Sequence, residues 1–240
     1  MFESGYDILT YGVFIKMPEH NEIQFIQVEP TTRCNFICKF CAGRHLPQRD
    51  ITPGTFQTIL ETFESIRFLE LQGEGEPLLH NNFFDLSRRA YKKDIEVSTI
   101  TNGSLLTELN IEKLLRSGIK SVFISIEAPE PDTFRQLRGG DFNAIVSNIR
   151  LLTEMKKAKK LTRPRVGLAV TILKSSIDWI DDIFILYREL GLDGGFIFQP
   201  LQTKPSYAEY YPKVLEKEII SSRDLRQLEM KMQTDRQVFY

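Results

Sequence analysis

Apolar, β-branched runs alternate with stretches of helical spacing along most of this chain, and no other feature limits its fold as strongly. "IQFIQVEP" (23–30), "RFLELQG" (67–73), "EVSTITNG" (96–103), "KSVFISIEA" (120–128), "RVGLAVTIL" (165–173) and "GGFIFQPL" (194–201) read as strands. Between them, "TFQTILETFESI" (55–66), "FFDLSRRAYKK" (83–93), "NIEKLLRSG" (110–118), "FNAIVSNIRLLTEMKK" (142–157) and "DWIDDIFILYRELG" (178–191) read as helices. Strictly alternating βα units predict a parallel sheet with helices outside it. The strand runs are nearly continuous in apolar residues, as expected where both faces are covered. An open doubly wound sheet would satisfy this pattern. The motif positions favour a barrel. The cysteine loop follows the first strand, "GEGEP" (73–77) the second and "TNG" (101–103) the third. "SIEA" (125–128) closes the fourth, "LKSS" (173–176) follows the fifth and "QPLQTK" (199–204) the sixth. In barrel enzymes the carboxyl ends of the strands carry the active site. The expected fold is α/β, a partial (β/α)6 TIM-like barrel with parallel strands, open on one side.

The barrel is expected over residues 23–201, after an N-terminal extension (1–22) and before a C-terminal tail (202–240). The tail holds "SYAEYYP" and a candidate helix around "SSRDLRQLEMKM". It ends without a helix-stop signal, which suggests the start of a truncated region. The net charge of −1 supplies no basic field for nucleic acid or an anionic membrane. There is no signal-peptide pattern and no bilayer-length apolar run, so a cytoplasmic location is expected. The basic run "KKAKK" (156–160) lies at a helix end, where cations suit the macrodipole and a solvated face is the ordinary reading.

All three cysteines, Cys34, Cys38 and Cys41, lie within "TTRCNFICKFCAGRH" (31–45). An odd, clustered set is a poor disulfide framework and reads as metal or redox chemistry. Haem attachment fails, because Ala42 and not His follows Cys41. A redox pair of Cys38 and Cys41 leaves Cys34 unexplained. Two readings stay open. His45 could close a Cys3His zinc tetrahedron. Three thiolates could instead hold an iron–sulfur cluster with one iron open, since full ligation takes four cysteines.

The C-x3-C-x-aromatic-C spacing, with Phe40 as the aromatic, resembles the signature of the radical S-adenosylmethionine (SAM) superfamily. "GEGEPLL" resembles its glycine-rich "GGEP" turn, "TNG" matches the turn after its third strand, and "SIEA" stands where "SIDG" is frequent. "RGGDFNAIVSNIRLL" is familiar from it too. The likeness spans roughly residues 23–200.

The resemblance implies that Cys34, Cys38 and Cys41 hold a [4Fe–4S] cluster whose open iron chelates the methionine part of S-adenosyl-L-methionine. Reductive cleavage then gives a 5′-deoxyadenosyl radical that abstracts hydrogen from substrate. It implies cofactor contacts at Phe40 (adenine) and at Gly75, Glu76 and Pro77, through backbone polar groups toward the methionine ammonium. It implies others at Ser125 and Glu127 (ribose or carboxyl), at Arg138 (carboxylate) and near Asn102. Each has an ordinary counterpart: core packing for Phe40, a tight turn for Gly75 and Asn102, a solvated loop cation for Arg138. Glu74 departs from the family glycine, and Glu127 from the commoner aspartate. A reductase or a flavodoxin- or ferredoxin-type electron donor is implied as partner.

The motif style looks most like members that modify peptides and proteins, so a peptide or protein substrate is expected. The chain lacks the extra cysteines of auxiliary clusters, which disfavours thiol-quenched epimerisation and methylthiolation. A small-molecule enzyme (cofactor, sugar or modified base), a glycyl-radical activase and a zinc-stabilised binding module stand as alternatives.

Overall fold

The computed structural model describes residues 23–41, 45–201 and 213–234. Six strands form one sheet in the order β1-β2-β3-β4-β5-β6, and every pairing is parallel. They are β1 (Phe25–Val28), β2 (Phe68–Leu71), β3 (Glu96–Thr101), β4 (Ile119–Ser125), β5 (Arg165–Ile172) and β6 (Phe196–Pro200). Each is shorter than its apolar run, β1 by half, and β4 begins one residue before its run. The helices are α1 (Pro53–Thr62), α2 (Phe83–Tyr91), α3 (Glu108–Leu115), α4 (Pro131–Arg138), α5 (Phe142–Ala158), α6 (Ile180–Glu189) and α7 (Ser222–Thr234). α7 falls where the tail helix was expected. The extension 1–22 and "SYAEYYP" lie outside the described residues.

β1 and β6 are not paired with each other, so the barrel is open between them. Residues of both edge strands, Gln27 and Gln199, nevertheless line one cavity, so the sheet curls. The outer sheet face is apolar. Leu69, Leu71, Val97, Val122, Ile124, Val166 and Leu168 are buried in one cluster with Phe56, Phe83, Ile111, Ile149 and Phe184 from the helices. Each such side chain stabilises the fold by about 1.5–3 kcal/mol. Helix starts are fixed locally. Thr52 accepts from Thr55 N at 3.0 Å, Thr107 from Asn110 N at 3.3 Å and Asp141 from Asn143 N at 3.0 Å.

One helix escaped the sequence pattern. α4 is eight residues long and begins at the last residue of "APEP", a stretch to which the sequence pattern assigned no element. In the fold, Pro131 takes the first helical position and Glu130 caps the helix, accepting from Asp132 N at 2.9 Å and Thr133 N at 2.7 Å. Phe134 and Arg138 form its buried face. Arg138 is therefore the last residue of a helix and 8% exposed, where a solvated loop cation was the ordinary expectation.

Candidate active site

The carboxyl ends of the strands surround a cavity of about 500 Å³, within the usual range for ligand sites. Cys34, Cys38 and Cys41 all line it. The loop carrying them leaves β1 and is anchored at both flanks. Arg33 donates to both Asp50 oxygens, at 3.0 and 2.8 Å, and to the Leu79 carbonyl at 2.9 Å. Burial pushes the Cys34 thiol up and the Cys38 thiol up to about 11. A bound metal centre displaces the protons of such thiols.

Glu76 knits the turn after β2 to the end of β3. Its carboxylate accepts from Thr101 Oγ1 at 2.7 Å, Asn102 N at 2.7 Å and Leu78 N at 3.1 Å. Burial raises its pKa, against the pull of those donors. Asn102 extends the link to the cysteine loop, donating from Nδ2 to Asn35 Oδ1 at 2.9 Å. Glu29, at the end of β1, accepts from Glu74 N at 2.5 Å and Gly75 N at 3.3 Å. A β-carbon on Gly75 would stand 2.1 Å from the Thr31 carbonyl oxygen, so only glycine lets this turn lie against the cysteine loop.

Arg138 and Glu127 form a buried ion pair, with Nη1 2.6 and 2.7 Å from the two carboxylate oxygens. Burial works against the Arg138 charge, but the adjacent Glu127 more than offsets it, so the guanidinium is held above its ordinary pKa. It lies 5.8 Å from the Phe40 ring centroid. Arg138 Nε is the one buried side-chain polar atom without a hydrogen-bond partner among the described residues. Such an atom is costly unless something else binds it.

Of the residues singled out from sequence, the cavity brings together the three cysteines with Phe40, Gly75, Glu76, Asn102, Ser125 and Arg138. Pro77 lies outside its lining, buried as the first residue of a short 3-10 turn. Glu127 lies behind Arg138 at 1% exposure, both oxygens engaged. Five polar lining residues were not singled out as cofactor contacts: Gln27, Glu29, Gln72, Thr171 and Gln199, the last noted only as the start of "QPLQTK". A signal existed. Gln27 and Glu29 alternate with Ile26 and Val28, the period-two mark of an inward face. His45 does not line the cavity. Among the described residues no group of three or more His, Cys, Asp or Glu side chains is placed to hold a single metal ion, so the geometry gives no support to a Cys3His tetrahedron.

The pattern of the radical SAM superfamily matches residues 28–193, from β1 to the turn before β6. The chain belongs to this superfamily. Its members are enzymes that use a [4Fe–4S] cluster and SAM. The chain is 24% identical, over 192 residues, to the tungsten-containing aldehyde ferredoxin oxidoreductase cofactor-modifying protein of Pyrococcus furiosus, covering 76% of this chain and 53% of that protein. It is 30% identical, over 143 residues, to the GTP 3′,8-cyclase of Rhizobium etli, covering 55% of this chain and 40% of that enzyme. SuiB of Streptococcus suis shares the fold. Its SAM-bound structure superposes with a TM-score of 0.72 at 17% identity, over 90% of this chain and 48% of SuiB, and it is also known bound to the precursor peptide SuiA. The chain thus spans about half of these relatives or less.

The donor set fits the family's cofactors. Three thiols line the cavity, the Arg138 guanidinium lines it too with its buried Nε unpaired, and the Gly75 turn, where a β-carbon would not fit, belongs to the same lining. Among the described residues no helix is long and apolar enough to cross a membrane.

Proposed function

We propose that Cys34, Cys38 and Cys41 hold a [4Fe–4S] cluster, and that the chain uses SAM bound beside it to abstract hydrogen from a peptide or protein substrate. When bound, the cluster supplies the electron that splits the SAM sulfonium bond to give a 5′-deoxyadenosyl radical. The protein's own work is binding, orientation and exclusion. The observation that carries the reading is the convergence of all three thiols on one cavity with Arg138 and the Gly75 turn.

Each residue has a task set by its free groups. Glu29 occupies the Glu74 and Gly75 amides, so this turn is left with carbonyl acceptors, the groups an ammonium needs. Arg138, held through Nη1 by Glu127, presents its cation in the cavity wall for a carboxylate. Ser125 ends β4 in the cavity wall with a hydroxyl suited to a ribose. Phe40 offers a ring face beneath the Arg138 guanidinium.

A peptide or protein substrate is favoured by the opening between β1 and β6, which leaves one flank of the site free for a bulky chain. The SuiB fold, known with a precursor peptide, supports the same reading. The second reading is a small-molecule substrate, favoured by relatives such as the GTP cyclase and the cofactor-modifying protein. An extract of the source cells separates them. It should raise 5′-deoxyadenosine release by the reconstituted, reduced protein, and protease digestion of the extract should remove that stimulation. Stimulation that survives digestion and passes a small-molecule filter would replace the peptide reading with the second.

A further inference from the structure

The carbonyl end of α4 and the two glycines after it fit the cysteine loop closely. Ile37 N donates to the Arg138 carbonyl at 3.3 Å and Lys39 N to the Leu137 carbonyl at 2.8 Å. The Cys38 sulfur lies 3.8 Å from the same Arg138 oxygen. The last carbonyls of a helix have no partner within it, so they are free to hold the amides of another segment. Here that segment flanks the middle thiol. Within the loop, the described backbone bond is Cys41 N to the Cys38 carbonyl at 3.3 Å, so most of its shape comes from outside.

The glycines supply the rest. Gly139 has φ 75°, and its N–H closes the helix onto the Arg135 carbonyl at 2.8 Å. A β-carbon on Gly139 would stand 2.5 Å from Ile37 Cγ1, and one on Gly140 2.3 Å from Phe36 Cζ. Phe36 is wedged against both apolar clusters of the fold and also lines the cavity. Two successive loop residues, 36 and 37, therefore each rest on one of two successive glycines. Thiols stand on both sides of this pair in sequence, Cys34 two residues before Phe36 and Cys38 directly after Ile37.

We propose that Leu137, Arg138, Gly139 and Gly140 form a template that fixes the cysteine loop in its cluster-receiving shape, with Gly140 a positioning residue that acts through Phe36. This rests on the reading that the three cysteines hold the cluster. A turn that merely needed glycine is the competing explanation, and Gly140 separates the two. It has no left-handed φ, so its backbone admits alanine, and the three atoms nearest an added β-carbon all belong to the Phe36 ring.

The test compares wild type, Gly140→Ala and the double variant Gly140→Ala/Phe36→Leu. Each is reconstituted anaerobically with iron and sulfide. The readouts are iron and sulfide per chain, the electron paramagnetic resonance of the reduced protein, and far-ultraviolet circular dichroism. Gly140→Ala should keep wild-type secondary structure while cluster retention falls about 5- to 100-fold, the range that overpacking strain produces. Its residual cluster signal should be altered. The shorter leucine should restore retention in the double variant. Wild-type iron and an unchanged signal in Gly140→Ala would overturn the template. So would a double variant that folds but stays as poorly loaded as the single one. If Gly140→Ala does not fold, the double variant decides: loading supports the template and failure to load refutes it. A wild type that takes up no cluster would instead sink the underlying reading.

Discussion

Removing Glu127 should unfold this protein at markedly lower denaturant, although the carboxylate lies behind the cavity. Glu127 is 1% exposed and Arg138 8%. Both carboxylate oxygens sit on Nη1 of one guanidinium whose Nε already lacks a partner. Glu127→Ala leaves a buried cation with neither counter-charge nor acceptor, and breaking such a pair costs about 3–5 kcal/mol. The two bonds share one nitrogen and do not form a two-nitrogen fork, which places the expectation near about 3 kcal/mol. For a chain of this size that is a fall in Tm of about 6–12 °C. Urea unfolding followed by circular dichroism measures it directly. The control is Glu127→Leu/Arg138→Met, which removes both charges and should recover most of the loss, since apolar replacement of a buried pair is often close to neutral. A Glu127→Ala loss under about 1 kcal/mol, typical of an exposed pair, would refute the reasoning. So would a double variant no better than the single one.

Other expectations are as specific. Glu76→Gln sets an amide N–H₂ or a lost charge against three donors, and should cost about 1–3 kcal/mol in the same assay; an unchanged midpoint would contradict the linking role of this carboxylate. Gly75→Ala should weaken SAM binding by the loaded protein, measured by isothermal titration, by about 10-fold or more, because overpacking against the Thr31 carbonyl moves the turn. Equal affinity would separate the turn from SAM. For Asp50, burial raises the pKa but the bonds from Arg33 and Thr31 prevail, holding it below its ordinary 3.8. Its stabilisation is thus complete above that pH and is lost as pH falls through the folded value, so Asp50→Asn should flatten that limb of acid unfolding. An unaltered acid limb would count against the pair.

The sequence made the sheet legible because a buried parallel strand is written as a β-branched run: five strands fell within such runs and β4 began one residue before its own. The cysteine loop was legible because its spacing is local. What escaped depends on contacts distant in sequence. Arg138 and Glu127 are eleven residues apart across an unrecognised helix, and Glu29 reaches forty-five residues to hold Glu74. Two prolines hid α4, although one of them starts it. Glu76 drew attention for its backbone, while its side chain ties the turn after β2 to the end of β3.

The central claim is that the three-thiol loop is a working cluster site, and one measurement reaches it most directly. The protein is purified without oxygen, reconstituted with iron and sulfide, reduced and mixed with SAM, and 5′-deoxyadenosine is sought by mass spectrometry. 5′-Deoxyadenosine should form with wild type and with His45→Ala and be absent with Cys38→Ala, which should also lose iron. A wild type that holds one zinc per chain, takes up no iron cluster and loses its metal on His45→Ala would contradict it.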